Sequence, residues 1–184
     1  MSTTPIRITI SGEAGSGKST VASLIAKKLK IKHYSTGDYM RKMAANHKVT
    51  IIELNKIGET DASIDKELDD WQMQLEKDKK KEFVIDSRLG FHFIPTSIKI
   101  FLSADLEVRA KRIYQDKRAV EKNTTLQQTI ANIKKRQQLE RARYKEKYNI
   151  DYLDFSTYDL VLDTTKMKPT EVAEKIVLFV KKRK

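Results

Sequence analysis

The first patterned stretch, Ile6-Arg7-Ile8-Thr9-Ile10, alternates β-branched apolar residues with polar ones and breaks at Ser11-Gly12, which predicts a strand running into a loop. Beyond Lys18, the residues Val21, Leu24, Ile25 and Leu29 recur at helical spacing, so a helix with one apolar stripe follows and needs a sheet to lie against. Residues 39–46, 50–57 and 64–81 read as helices separated by Gly37-Asp38, Lys48 and Gly58-Glu59-Thr60-Asp61. Phe83-Val84-Ile85 and Ile98-Lys99-Ile100-Phe101-Leu102 are short apolar runs of the kind buried in a parallel sheet, with Gly90 and Pro95 in the loop between them. Ser103-Ala104-Asp105-Leu106-Glu107 supplies an N-cap and a first-turn acid for a helix toward Gln115. Residues 126–148 read as one long basic helix. Leu160-Val161-Leu162 reads as a last strand, and Pro169 opens a final helix with Val172, Ile176, Phe179 and Val180 on one face. The Lys181-Lys182-Arg183-Lys184 ending reads as a frayed, solvated tail. Strands alternating with helices predict an α/β fold with a parallel sheet flanked by helices, in one domain over residues 1–184 with a helical insert at 35–81.

Composition narrows what such a fold can do. With 184 residues, 39% hydrophobic and 34% charged, the chain can bury one core. It has no cysteine, which excludes disulfides, thiolate metal sites and a cysteine nucleophile. Its three histidines, His33, His47 and His92, lack metal-ligand spacing. No apolar run approaches the ~20 residues of a membrane span, and the opening residues lack the basic and long apolar segments of a secretory signal. A cytoplasmic protein without a membrane partner is the expectation. Lys plus Arg is 37 against 25 acids, a formal +12, which favours polyanionic partners without choosing among nucleotides, nucleic acid and acidic surfaces.

The choice is made by Gly12-Glu13-Ala14-Gly15-Ser16-Gly17-Lys18-Ser19, which satisfies G-x-x-x-x-G-K-[ST] between a predicted strand and a predicted helix. Glycines there let backbone N–H groups turn inward around phosphate oxygens. The helix N-terminus adds a positive dipole, Lys18 reaches the β and γ phosphates, and the Ser19 hydroxyl can ligate Mg²⁺. ATP with Mg²⁺ is therefore expected on this loop. No N-K-x-D guanine-reading motif is present, and the length leaves little room for motor or transporter subdomains, so a small-molecule kinase is favoured over other users of the loop.

An acceptor side is also visible. Ser35, Thr36, Gly37 and Asp38 precede Arg41, a pattern that can hold a second phosphate or be an ordinary capped helix with a surface arginine. Asp86 ends a buried strand where phosphate-loop proteins reach Mg²⁺, and Arg88 projects from the same crevice. Arg136, Glu140 and Arg143 share one stripe of the long helix, flanked by Gln137 and Arg141. Such a run is commonly solvated surface, but transfer between two anionic nucleotides needs arginines that neutralise equatorial oxygens. Arg109 and Arg112 could join from the nucleotide side.

Taken together, the chain resembles the nucleoside monophosphate kinases, and within them the short, archaeal-type cytidylate kinases. The residues from Gly12 to Thr20 are similar to the family's phosphate loop, and Ser35-Thr36-Gly37-Asp38 with Arg41 to its monophosphate-binding turn. The segment from Ile98 to Asp105 with Arg109 and Arg112 is similar to the strand and helix leading to its lid, and Arg136 through Arg143 to its arginine-rich lid helix. Ile64 to Asp69, Tyr148 to Asp151 and Tyr158 to Leu162 keep the family's order. Adenylate kinases carry Asp-Gly-Phe-Pro-Arg after the third strand, whereas Asp86-Ser87-Arg88-Leu89-Gly90 stands here. This sequence departs from the cytidylate pattern where Ser87 replaces the usual Gly, and at Gln137-Gln138-Leu139 of the lid. The resemblance implies transfer of the ATP γ-phosphoryl group to CMP or dCMP by a monomer with a lid at 113–143. It gives Arg41 and Arg88 the acceptor phosphate or base, and Arg136 and Arg141 the transferring group. Glu140 would face the acceptor, and Asp65 would contact its base or ribose. Adenylate kinase or another small-molecule kinase is the alternative reading. A nucleic-acid-binding NTPase is a distant one.

Overall fold

Five strands, β1 (Arg7–Gly12), β2 (Lys32–Ser35), β3 (Phe83–Asp86), β4 (Ile98–Ser103) and β5 (Leu160–Asp163), form one sheet in the order β2-β3-β1-β4-β5, every pairing parallel. The computed structural model describes residues 5–116 and 125–183, apart from the side chains at 51, 52, 55, 59 and 60. Residues 117–124 of the expected lid lie outside the described residues. Helices α1 (Lys18–Leu29) and α8 (Pro169–Lys182) cover one face of the sheet. There Val21, Ile25, Val172, Ile176 and Val180 pack on Ile8, Ile10, Ile100 and Leu102. The other face is aromatic: Phe83, Phe91, Phe93, Phe101, Tyr152 and Tyr158 share a core with Ile85 and Ile94. Between β2 and β3 the chain leaves the sheet for α2 (Thr36–Asn46), α3 (Ile51–Thr60) and α4 (Ala62–Lys77), which close on their own small core of Met43, Ala44, Leu54 and Ile64. Helices α5 (Gly90–Phe93), α6 (Leu106–Gln115) and α7 (Leu126–Tyr148) complete the chain's helical layer. No helix among the described residues is long and apolar enough to cross a membrane.

The alternation that marks β1 does not mark a solvent face, because all six of its residues are buried, as expected of a strand with neighbours on both sides and helices on both faces. Its polar members are satisfied instead of solvated. Thr9 Oγ1 lies 2.9 Å from Ser97 Oγ, and Ser11 Oγ donates to the Ser87 and Arg88 carbonyls at 3.0 and 3.1 Å. The Arg7 guanidinium donates to the Glu76 carboxylate at 3.1 Å, to Thr96 Oγ1 at 3.0 Å and to the carbonyls of Glu76 and Asp78. Its side chain is 3% exposed. Glu76 would keep Lys79 and Thr96, but the buried pair would be broken and the carbonyls of Glu76, Asp78 and Lys81 would each lose a donor, so Arg7→Ala should cost ~3–5 kcal/mol of stability. Denaturant unfolding measures this, and a loss under about 1 kcal/mol, the scale of a surface pair, would contradict the staple.

Several boundaries differ from those read from the sequence. Gly37 and Asp38 do not separate elements: Ser35 caps α2 by accepting from the Asp38 N–H, which draws both residues into the first turn. Gly58 does not stop α3, since one helical glycine costs only about 1 kcal/mol and the break falls at Asp61, whose carboxylate accepts from the Ser63 N–H to start α4. Helix α4 ends at Lys77, short of residue 81, and Arg7 takes the Glu76 carbonyl that a continued helix would pair with the Lys80 N–H. Gly90 lies in the short α5 and not in an open loop. The chain's end is not frayed through Arg183, which pairs with Asp159 at 2.6 Å and lies over the Phe179 ring; Lys184 lies outside the described residues. Strand β2 went unread because Lys32-His33-Tyr34-Ser35 has no apolar run; its parallel pairing to β3 creates it.

Candidate active site

The phosphate loop follows the carboxyl end of the central strand, where open α/β sheets place their ligands. Its backbone demands glycine at particular points. Gly12 has φ +145°, and a Cβ there would sit 2.2 Å from the Leu102 carbonyl oxygen; at Gly15, φ +80°, a Cβ would sit 2.6 Å from the Arg109 carbonyl oxygen. Gly12→Ala should therefore destabilise the protein by at least about 1–3 kcal/mol and abolish nucleotide binding, measurable as a lowered Tm with no shift on adding ADP. A parent-like Tm with normal ADP binding would contradict the close approach. Ser16 Oγ is buried without a hydrogen-bond partner, an orphan that a phosphate oxygen would satisfy.

Behind the loop, α6 braces it. Arg109 is buried, pairs with Glu13 at 3.0 Å, and donates to the Ala104 and Ala14 carbonyls. Arg112 donates to the Gly15 carbonyl, to Thr164 Oγ1 at 3.1 Å and to the Thr164 carbonyl at 2.8 Å. Thr164 in turn places its hydroxyl 3.0 Å from the Ser16 carbonyl oxygen. A cavity of about 480 Å³ opens here, lined by the loop from Gly15 to Thr20 and by Arg112, Ile113, Thr164 and Met167. Thr164 was not singled out from the sequence, although its place just past the last strand's carboxyl end was a usable signal.

Charged residues gather in the surroundings of Lys18. Its Nζ donates at 2.8 Å to the Gly12 and Glu13 carbonyls. Burial pushes the Lys18 ammonium down to about 7; Arg88 and Arg136 act in the same direction, and Asp86 and Glu140 oppose it. Four of the residues expected at the site thus share one electrostatic neighbourhood with Lys18. Arg88 Nε lies 2.9 Å from Glu140 Oε2, and Arg136 Nε lies 2.9 Å from Glu140 Oε1, so one carboxylate bridges two guanidinium groups. Asp86 accepts from Ser19 Oγ at 3.0 Å and Ser35 Oγ at 3.1 Å, and the Thr36 hydroxyl donates to its backbone carbonyl.

Other expected residues have different company. Arg41 is exposed and pairs with Asp38 in the first turns of α2, beside Gly37. Arg141 is exposed and pairs with Asp151 at 2.5 Å. Asp65 faces α7, 2.7 Å from Lys147 Nζ and 3.8 Å from Arg143, while Tyr148 donates to Asp69 at 2.7 Å. Burial raises both the Asp69 carboxyl and the Tyr148 hydroxyl above their ordinary values. These contacts fasten the insert to the helix that carries Arg136 and Glu140, a contact that no local pattern announces. His33 was likewise missed, and stands 2.7 Å from Asp86.

Comparison with known proteins gives the family. The model of the cytidylate kinase-like family matches residues 7–166. The chain is 39% identical to the cytidylate kinase of Sulfolobus acidocaldarius, over 97% of this chain and 96% of that protein. It is 41% identical to the cytidylate kinase of Natronomonas pharaonis, over 90% and 84%. Among solved structures, shikimate kinase from Bacteroides thetaiotaomicron superposes with a TM-score of 0.68 at 14% identity, covering 96% of this chain and 98% of that one; this is a likeness of fold alone. With a phosphate loop at the end of β1, an insert after β2 and a family match running through nearly the whole fold, the chain belongs to the cytidylate kinase-like family.

Proposed function

We propose that this chain transfers the γ-phosphoryl group of ATP to the phosphate of CMP or dCMP, giving ADP and the corresponding diphosphate. The observation that carries the reading is the grouping of Asp86, Arg88, Arg136 and Glu140 in the electrostatic surroundings of Lys18, which itself lines the cavity that Arg112 and Thr164 share with the phosphate loop. Lys18 then serves an acceptor site and a nucleotide site at once. Family membership supplies the choice of cytidylate.

The chemistry asks little covalent work of the protein. An oxygen of the acceptor phosphate is already anionic and attacks the γ-phosphorus in line. The bond to the β,γ-bridging oxygen breaks, and ADP leaves with that electron pair. Lys18 holds charge on the β and γ oxygens. Arg88 and Arg41 serve the acceptor phosphate, while Arg136 and Arg141 serve the transferring group, which requires Arg141 to exchange Asp151 for substrate. Glu140 turns toward the acceptor as phosphate replaces it on Arg88, and Asp65 meets the base or ribose. Arg109 acts through the loop it braces, and Arg112 walls the nucleotide cavity.

The residues also fit Mg²⁺. Ser19 gives its proton to Asp86 Oδ1 and so turns its lone pairs outward, and hydroxyl and carboxylate are the hard oxygen donors that this ion takes. Ser19 and Asp86 would hold it, directly or through water. When bound it supplies positive charge to the β and γ phosphates.

The test is ADP release with ATP·Mg²⁺ and each of CMP, dCMP, UMP, AMP, GMP and shikimate offered singly. A rate confined to cytidine acceptors is expected. A preference for AMP would return the chain to an adenylate kinase reading, and no reaction with any acceptor would overturn the kinase itself.

A further inference from the structure

His33 has no part in the reading so far. In β2 it stands two residues before Ser35, and the period of a strand puts both side chains on one face. Both reach Asp86. His33 Nε2 lies 2.7 Å from Oδ2, while Ser35 and Ser19 place their hydroxyls 3.1 and 3.0 Å from Oδ1. Three donors from β2 and α1 therefore hold the two carboxylate oxygens of a side chain that is only 7% exposed. A carboxylate oxygen has about two acceptor positions, so the hydroxyls fill Oδ1, and the imidazole fills one of the two on Oδ2. One acceptor position remains, and its direction is fixed by where His33 sits. Without that third donor the carboxylate is held through Oδ1 alone, and terminal torsions of this type are soft.

We propose that His33 is a positioning residue for the cation side of the site. By donating its Nε2–H to Asp86 Oδ2, it sets the plane of the carboxylate and aims the one open acceptor position at the cation or its water. The inference rests on the assignment of Ser19 and Asp86 to Mg²⁺. A ring nitrogen facing an acceptor-only carboxylate must carry the proton, so the role needs only the neutral imidazole. It resembles the outer-shell partners of metal ligands, whose loss commonly weakens metal binding 10- to 100-fold.

The experiment reads Mn²⁺ by electron paramagnetic resonance as it binds to the protein saturated with ADP, in the parent, His33→Leu, His33→Gln and Asp86→Asn. His33→Leu should weaken Mn²⁺ about tenfold and lower kcat with little change in KM for CMP. His33→Gln, whose amide N–H reaches the position of Nε2, should restore most of both. If His33→Leu binds Mn²⁺ like the parent while Asp86→Asn does not, the role of His33 is wrong and the cation site stands. If neither variant changes Mn²⁺ affinity, the cation site is wrong and the role of His33 falls with it. Should His33→Leu fail to fold, His33→Asn replaces it, its amide being too short to reach Oδ2; equal Mn²⁺ affinity for the Asn and Gln variants would then overturn the proposal.

Discussion

Lys18→Ala is expected to lower kcat by about 10²–10³-fold or more, the scale set by removing one preorganised donor to developing charge, with secondary structure intact. The lysine cannot be replaced by its neighbours. Its ammonium is anchored on the Gly12 and Glu13 carbonyls at the centre of the loop, whereas Arg88 and Arg136 are already held by Glu140. Stability should move the other way, and the sign follows from linkage. The folded Lys18 titrates at about 7 against 10.5 for an unburied lysine, so the unfolded chain binds more protons between those values. Stability of the nucleotide-free parent should therefore rise with pH across that window, and below pH 7 the full cost of burying the charged form is present. Lys18→Ala should lack this rise and be at least as stable as the parent at neutral pH. A variant that turns over like the parent would remove Lys18 from the mechanism. One that unfolds at neutral pH would show that the lysine holds the loop together.

Arg88→Ala is the second large effect, and it should be lopsided. Arg88, held by Glu140 in the free protein, is the group proposed to take the acceptor phosphate, and truncating one member of a hydrogen-bonded charge pair across an interface commonly costs 2–5 kcal/mol, so kcat/KM for CMP should fall about 100-fold. KM for ATP should change little, because the nucleotide cavity is built from the loop, Arg112, Ile113, Thr164 and Met167 and does not include Arg88. Steady-state kinetics with each substrate varied in turn separates the two. Equal losses on both sides would mean that Arg88 shapes the crevice as a whole and not the acceptor side.

The contrast between the two residues shows what a sequence of this kind reveals. Lys18 is legible because its chemistry is local: strand, glycine loop, lysine and helix lie within one stretch, and each requirement acts on neighbours in the chain. The long helix is legible to the residue for the same reason, its ends being set by Thr125, which caps the Gln128 N–H, and by Asn149 in the left-handed conformation. Arg88 could be suspected from its place after β3, but its pairing with Glu140 depends on how α7 crosses the crevice, which is decided by packing. The insert's helices were visible as helices and misjudged at their ends, because Ser35 and Asp61 act as caps and override the glycines at 37 and 58. His33 was illegible for want of β2, whose four residues become a strand only beside β3. Arg7, Arg88, Arg109, Arg141, Lys147 and Arg183 pair with acids inside the molecule, but each such pair uses one charge of either sign and leaves the formal +12 as it stands.

The central claim is direct transfer between two nucleotides, and label from [γ-³²P]ATP follows it most closely. With CMP present and Mg²⁺ supplied, the label should appear in CDP at the rate at which ADP forms, with none held on the protein after denaturation. Label collecting as inorganic phosphate regardless of CMP, or remaining covalently on the chain, would contradict the account.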